Sequence, residues 1–199
     1  MPPIVPSDYY GELFAHPDPA RAVGWESAAA QATRFEVVRR FVAPGDSVLD
    51  LGAGLGDLGR YLAACGWSGD YLGIERDPRL IARGLARTPP VALRHADFLV
   101  DPLPTAAVVA AIGVLVDGRS QRSDGVRFAR VRRLIEVVRA AATRVGVIVV
   151  LDQDQLEAHP ILALEPALGG VRQAELAWLA PDAEVVPLLT LELALVLRR

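Results

Sequence analysis

The segment of this chain best equipped for chemistry is Val48-Leu49-Asp50-Leu51-Gly52-Ala53-Gly54-Leu55-Gly56-Asp57-Leu58. An apolar run carrying one carboxylate passes into a turn with glycine at alternate positions, and helical spacing begins at once. Glycine there permits backbone geometries that side chains resist and lets a ligand approach the main chain. The helix N-terminus behind the turn offers unpaired N–H groups and a positive dipole end. Nineteen residues after Gly56, Glu75 closes a second apolar run, where a carboxylate can accept both hydroxyls of a ribose. His95-Ala96-Asp97-Phe98 follows a third run; Asp97 can accept from an adenine amino group and Phe98 can pack on the ring. Together these residues point to a nucleoside-containing ligand at the carboxyl edge of a sheet.

Two readings of the nucleoside stand side by side. Gly54-Leu55-Gly56-Asp57-Leu58-Gly59 satisfies the dinucleotide pattern G-x-G-x-x-G. Yet the glycines start earlier, at Gly52, so Gly59 falls inside the helix, where it serves close packing equally well. Asp50 beside the turn is a poor neighbour for a pyrophosphate and a good one for an ammonium group. Each residue also has a plain use: Asp50 as a turn cap, Glu75 as a surface carboxylate, Asp97 as a turn residue, Phe98 as core.

The elements that must position these residues alternate along the chain. An irregular Pro- and Tyr-rich arm leads to a helix start at Asp18-Pro19. Ser27 then caps a helix whose Phe35, Val38, Phe41 and Val42 share a face, and Pro44-Gly45-Asp46 stops it. Strands are expected at 47–51, 71–75, 91–95, 107–116 and 145–151, with helices at 55–65, 78–87 and 126–144 between them. Apolar runs alternating with helices indicate a parallel sheet covered on both faces. The ending differs: two adjacent apolar strands, 183–189 and 191–197, with a short link form an antiparallel hairpin. The expected fold is α/β, a three-layer, Rossmann-like sandwich with a mostly parallel seven-stranded sheet closed by that hairpin. It divides into an N-terminal arm and helix (1–45), a ligand-binding core (46–151), an insertion (152–182) and the hairpin (183–199), all in one domain.

Composition narrows the function classes. At 199 residues the chain fits one domain, and 52% hydrophobic residues with only 23% charged argue against disorder. The single Cys65 rules out a disulfide framework within the chain and fits a reducing compartment. All 21 basic residues are arginine, yet the net charge is −3, which disfavours broad capture of nucleic acid. The arginines between Arg119 and Arg133 read as a solvated helix face. No uncharged run reaches the roughly 20 residues of a membrane span, and the N-terminus lacks a basic start followed by an apolar core. A cytoplasmic protein is expected. No pair of His or Cys has metal-ligand spacing, so no metal site is expected.

Asp50-x-Gly52-x-Gly54-x-Gly56, Glu75 and Asp97-Phe98, with the C-terminal hairpin, resemble a class I S-adenosylmethionine-dependent methyltransferase. The likeness runs from about Gly24 to Arg199. Gly24-Trp25-Glu26-Ser27, Gln31, Arg34-Phe35-Glu36-Val37, Gly56-Asp57-Leu58, Gly66-Trp67 and Tyr71-Leu72-Gly73-Ile74 are similar to a small bacterial branch of that superfamily. Ala28, Ala29 and Ala30 depart from the polar residues expected before Gln31, and Glu75-Arg76 stands where Asp with a small or apolar residue is commoner. The resemblance implies S-adenosylmethionine as cofactor. Gly52, Ala53 and Gly54 would line its amino-acid and ribose parts, and Asp50 would hold the ammonium. Glu75 would grip the ribose diol, Arg76 would flank the adenine, and Asp97 and Phe98 would read it. Ile112 and Gly113 would border the methyl group, and Gln31 or Arg34 would hold the methionine carboxylate.

A methyl sulfonium is already activated, so no fixed catalytic residue is required. For a hydroxyl acceptor a base is useful, and Asp117, Asp152, Asp154 and His159 are candidates, with His16 and His95 behind them. Ala111-Ile112-Gly113-Val114-Leu115 replaces any Asn-Pro-Pro-Tyr-like segment and gives no support to methylation of nucleic-acid bases or protein amides. A small-molecule acceptor is expected, selected by the arm (with Tyr9, Tyr10 and Trp25 as a lid), the 117–124 loop and the 157–180 insertion. That insertion equally well buries a homodimer interface. The alternatives are a cofactor- or partner-binding protein without turnover and, on the offset glycine pattern, a nicotinamide-dependent oxidoreductase.

Overall fold

The computed structural model describes residues 13–114, 124–151, 171–188 and 192–199. Helices α1 (Pro19–Ala22) and α2 (Ala28–Arg39) lead into β1 (Val48–Leu51), α3 (Asp57–Ala64), β2 (Tyr71–Glu75), α4 (Pro78–Leu85), β3 (Leu93–His95) and β4 (Ala106–Ile112). Helix α5 (Asp124–Ala141), β5 (Ala142–Leu151), α6 (Gln173–Leu179), β6 (Glu184–Pro187) and β7 (Glu192–Arg198) complete the order. The seven strands form one sheet in the order β3-β2-β1-β4-β5-β7-β6. β1 to β5 are parallel; β7 runs antiparallel to both β5 and β6. This is the expected three-layer sheet with its C-terminal hairpin. All-parallel dinucleotide-binding sheets run 3-2-1-4-5-6, without a reversed strand inserted beside β5.

Local chemistry starts the helices where the sequence marks them. Asp18, Ser27 and Asp77 each accept a backbone N–H from the first turn of α1, α2 and α4 (Ala20, 2.9 Å; Ala30, 3.1 Å; Arg79, 2.9 Å). Side chains alternate across the strands and bury both faces. Val48, Val108, Ala110, Val147 and Val196 pack with Phe35, Val38, Leu58 and Leu62 of α2 and α3. Leu49, Leu51, Ile148, Leu193 and Leu195 pack with Leu134, Ile135 and Val138 of α5 and Leu176 of α6.

Several element boundaries differ from the spacing, and three of these differences have a visible cause. The helix expected at 126–144 stops at Ala141, because Ala142 pairs with Ala106 and the Thr143 hydroxyl donates to the Ala106 carbonyl (3.2 Å). Small residues at 140–143 suit either state, and strand pairing decides. β4 ends at Ile112, since Gly113 takes φ +68 and turns the chain away from the ladder. β3 is shorter than expected, following a loop that carries Pro89 and Pro90. No described helix is long and apolar enough to cross a membrane.

Gly146, in the middle of β5, gives α5 room to pack on the sheet: a Cβ there would overlap Val138 Cγ1. Gly146→Ala should therefore cost about 1–3 kcal/mol of unfolding free energy in urea titration, through overpacking. Adding Val138→Ala should recover part of that loss, and a double variant no more stable than the single one would contradict this packing.

Candidate cofactor-binding site

The parallel register brings the chemically equipped residues to one edge. Leu51 is level with Ile74 on one side and Ala111 on the other, and Glu75 is level with His95. Gly52, Glu75, Ala96 and Ile112 thus stand in a row at the carboxyl ends of adjacent strands. The chain leaves β1 toward β2 and β3, then returns to β4 on the opposite side. In open α/β sheets ligands bind at such a reversal.

The glycine turn is held there by β2. Gly52 and Ala53 both donate N–H to the Ile74 carbonyl (2.8 and 3.0 Å), and Gly56 donates to Ala53 (2.8 Å). Gly54 donates to Glu75 Oε2 (2.9 Å), while Glu75 Oε1 accepts from Arg76 and Asp77 (2.8 and 2.9 Å). Glu75 is buried. The turn amides at 52, 53, 54 and 56 are therefore all committed within the protein, which leaves that stretch unsuited to cradle a phosphate. A turn that binds phosphate does so by presenting its free N–H groups.

Asp50 lies on the α2–α3 face and is buried, with the Tyr71 hydroxyl donating to its Oδ2 (2.7 Å). Burial pushes the Asp50 carboxyl up to about 7; the Tyr71 hydrogen bond opposes that shift and the nearby Glu75 charge adds to it. Burial, then the neighbouring Asp50 charge, drive the Tyr71 phenol well above its ordinary value, so it stays a neutral donor. The Tyr71 ring also lies where a Cβ on Gly59 would sit, 2.9 Å from its ring atoms. Gly59 is thereby a packing glycine of α3.

Arg60, one turn into α3, is buried and donates to the carbonyls of Leu55 (2.6 Å), Gly84 (2.6 Å) and Pro89 (2.9 Å). This ties the turn to the end of α4. The mark of Arg60 in the sequence is a charge set between Leu58 and Leu62 of an apolar helix stretch. Tyr71, two residues before Gly73, carries no comparable mark.

The other expected residues have these places. Asp97 Oδ1 accepts from Leu99 N (2.9 Å), forming a local turn that sets Phe98 against the core beside Gly52. Arg76 is exposed, and its carbonyl is hydrogen-bonded to His95 Nε2 (2.9 Å). His16 Nδ1 accepts from Asp18 N (3.0 Å). Val114 reaches over Gly52, and Val23 Cγ1 would stand 3.1 Å from a Cβ on Gly54. Trp25 covers Gly113. Gln31 is buried in α2. Arg34, expected near a ligand carboxylate, is paired with Glu192 (2.5 Å), a carboxylate 158 residues away whose only sequence mark is a lone charge in an apolar strand. Asp117, Asp152, Asp154, His159, Tyr9 and Tyr10 lie outside the described residues. Among the described residues no cluster of His, Cys, Asp or Glu could hold a metal ion.

No family model and no curated protein matches this chain. Solved structures do. The pyocyanin biosynthetic protein PhzM superposes with TM-score 0.68 at 21% identity over 96% of this chain and 62% of its own. The N-methyltransferase NodS from Bradyrhizobium japonicum, solved with S-adenosylhomocysteine, gives 0.67 at 15% over 96% of both chains. The plantazolicin methyltransferase BpumL gives 0.65 at 12% over 87% and 86%. The fold is that of the class I methyltransferases. The chain spans 62% of the length of PhzM and of human N-acetylserotonin methyltransferase.

In this methyltransferase fold the buried Asp50 carries a measurable consequence. Its folded-state pKa, about 7, lies above the unfolded value of 3.8. The native state therefore binds the extra proton, and the stability it contributes is full below pH 3.8 and lost as pH rises through 7. Asp50→Asn should flatten this part of the curve of unfolding free energy between pH 4 and 7. An unchanged slope in the variant would assign the dependence elsewhere.

Proposed function

We propose that the chain is an S-adenosylmethionine-dependent methyltransferase that transfers a methyl group directly to a small-molecule acceptor. The observation that carries this reading is the pairing of two buried carboxylates, Asp50 and Glu75, with a glycine turn whose amides are already committed. Hydroxyls and an ammonium group suit that site, and a pyrophosphate does not. The solved relatives act in the same direction: one was crystallised with S-adenosylmethionine and others with S-adenosylhomocysteine.

In this reading Glu75 takes the ribose diol at Oε2, the oxygen that carries a single backbone donor, Gly54 N–H. Asp50, ionised by a neighbouring cation, takes the ammonium while Tyr71 fixes its other side. Gly52, Ala53 and Gly54 line the chain between them, Arg76, Asp97 and Phe98 surround the adenine, and Ile112 and Gly113 border the reacting carbon. When bound, the sulfonium supplies an activated methyl group. The protein's work is alignment of the acceptor and exclusion of water. A hydroxyl acceptor passes its proton to a base, for which Asp117, Asp154 and His159 are the candidates.

A second reading, a ligand- or partner-binding protein without turnover, is favoured by Val114 and Val23 reaching over Gly52 and Gly54. The two readings separate on turnover: conversion of S-adenosylmethionine to S-adenosylhomocysteine with any member of an acceptor panel supports the first. For the site itself, Glu75→Ala should weaken S-adenosylhomocysteine binding at least tenfold in calorimetry, about 1.4 kcal/mol. Unchanged affinity in a folded variant would reject it.

A further inference from the structure

The buried ion pair between α2 and β7 lies at the same sheet edge as the glycine turn. β7 is antiparallel to its neighbours, so its first residue, Glu192, reaches the carboxyl edge, level with Leu151 at the end of β5. Glu192 is 4% exposed. Arg34 Nε lies 2.5 Å from Glu192 Oε2, and Arg34 Nη1 donates to the Ala30 carbonyl (2.7 Å), so the guanidinium is fixed from two directions. Its carbon stands 5.2 Å from the centroid of the Trp25 ring. That ring in turn lies on Gly113, where Cζ2 and Cη2 would be 3.3 and 3.4 Å from an added Cβ. Gly113, at φ +68 and donating N–H to the Val149 carbonyl (3.2 Å), presents no side chain to push the indole away.

We propose that Arg34 and Glu192 are positioning residues that hold the Trp25 indole against Gly113, and that Trp25 forms the acceptor-side wall of the site. This rests on the methyltransferase reading for the wall's purpose, while the positioning itself rests on the four contacts alone. The physical logic is that a guanidinium attracts an aromatic face. Removing one partner of a buried pair leaves the other charge stranded, so the pair holds its geometry firmly. A pair that merely joined α2 to β7 would need neither the indole above it nor a glycine beneath the indole.

The test uses the full chain with Trp67→Phe and Trp178→Phe, which leaves Trp25 as sole emitter. Arg34→Met and Glu192→Gln should each raise acrylamide quenching of Trp25 at least twofold and weaken S-adenosylhomocysteine binding several-fold. Arg34→Lys, which keeps both the ion pair and a cation beside the indole, should restore part of both. Folded variants with wild-type quenching and affinity would overturn the proposal. If the parent chain binds no S-adenosylhomocysteine yet Arg34→Met still releases Trp25, the cofactor reading fails and the positioning pair stands.

Discussion

Glu75 accepts three backbone N–H groups at once, from Gly54, Arg76 and Asp77, and the rest of the carboxyl edge is arranged around that contact. Hydrogen bonds to an ionised acceptor contribute about 1.5–3 kcal/mol each, enough to hold a glycine-rich turn that has few side chains of its own to pack. The same carboxylate joins the end of β2 to the turn after β1. The Ile74 carbonyl doubles the link by accepting from Gly52 and Ala53. Val114 and Val23 reach over the turn's α-carbons, and two buried carboxylates, Asp50 and Glu75, stand beside them.

That arrangement has an electrostatic cost, visible at Asp50. Its burial with a like charge nearby places the carboxyl near neutrality in its titration, with the neutral Tyr71 phenol as its hydrogen-bond donor. A cation beside it would relieve the cost, so a ligand carrying an ammonium group gains from a site that is strained without one. Arg60 addresses a different need. Its guanidinium satisfies three carbonyls, including that of Leu55 within the turn, and stands 3.9 Å from Asp57 Oδ1, so three hydrogen bonds and a longer ion pair offset burial of the charge.

Much of this was legible in the sequence, because strand and helix periods, caps and turn glycines are local properties. The strand–turn–helix at 48–58, the caps at Asp18 and Ser27, and the reversed final hairpin all follow from neighbouring residues. Glu75 could be singled out by its place at the end of a strand. Its grip on the Gly54 amide could not, because that contact depends on the register of β1 against β2. The partner of Arg34 was hidden for the same reason: Glu192 reaches it only once β7 inserts antiparallel beside β5. Where the α5 periodicity ran into β5, small residues left the boundary undecided, and pairing with Ala106 settled it.

On the proposed reading the glycine turn serves a nucleoside bearing a cation and not one bearing a pyrophosphate. Calorimetric titration of the ligand-stripped chain with S-adenosylhomocysteine, adenosine and NAD tests it most directly. Saturable binding of S-adenosylhomocysteine, weaker binding of adenosine and no heat from NAD are the results expected. NAD binding more tightly than S-adenosylhomocysteine would contradict the account, and so would silence with all three ligands from a folded sample.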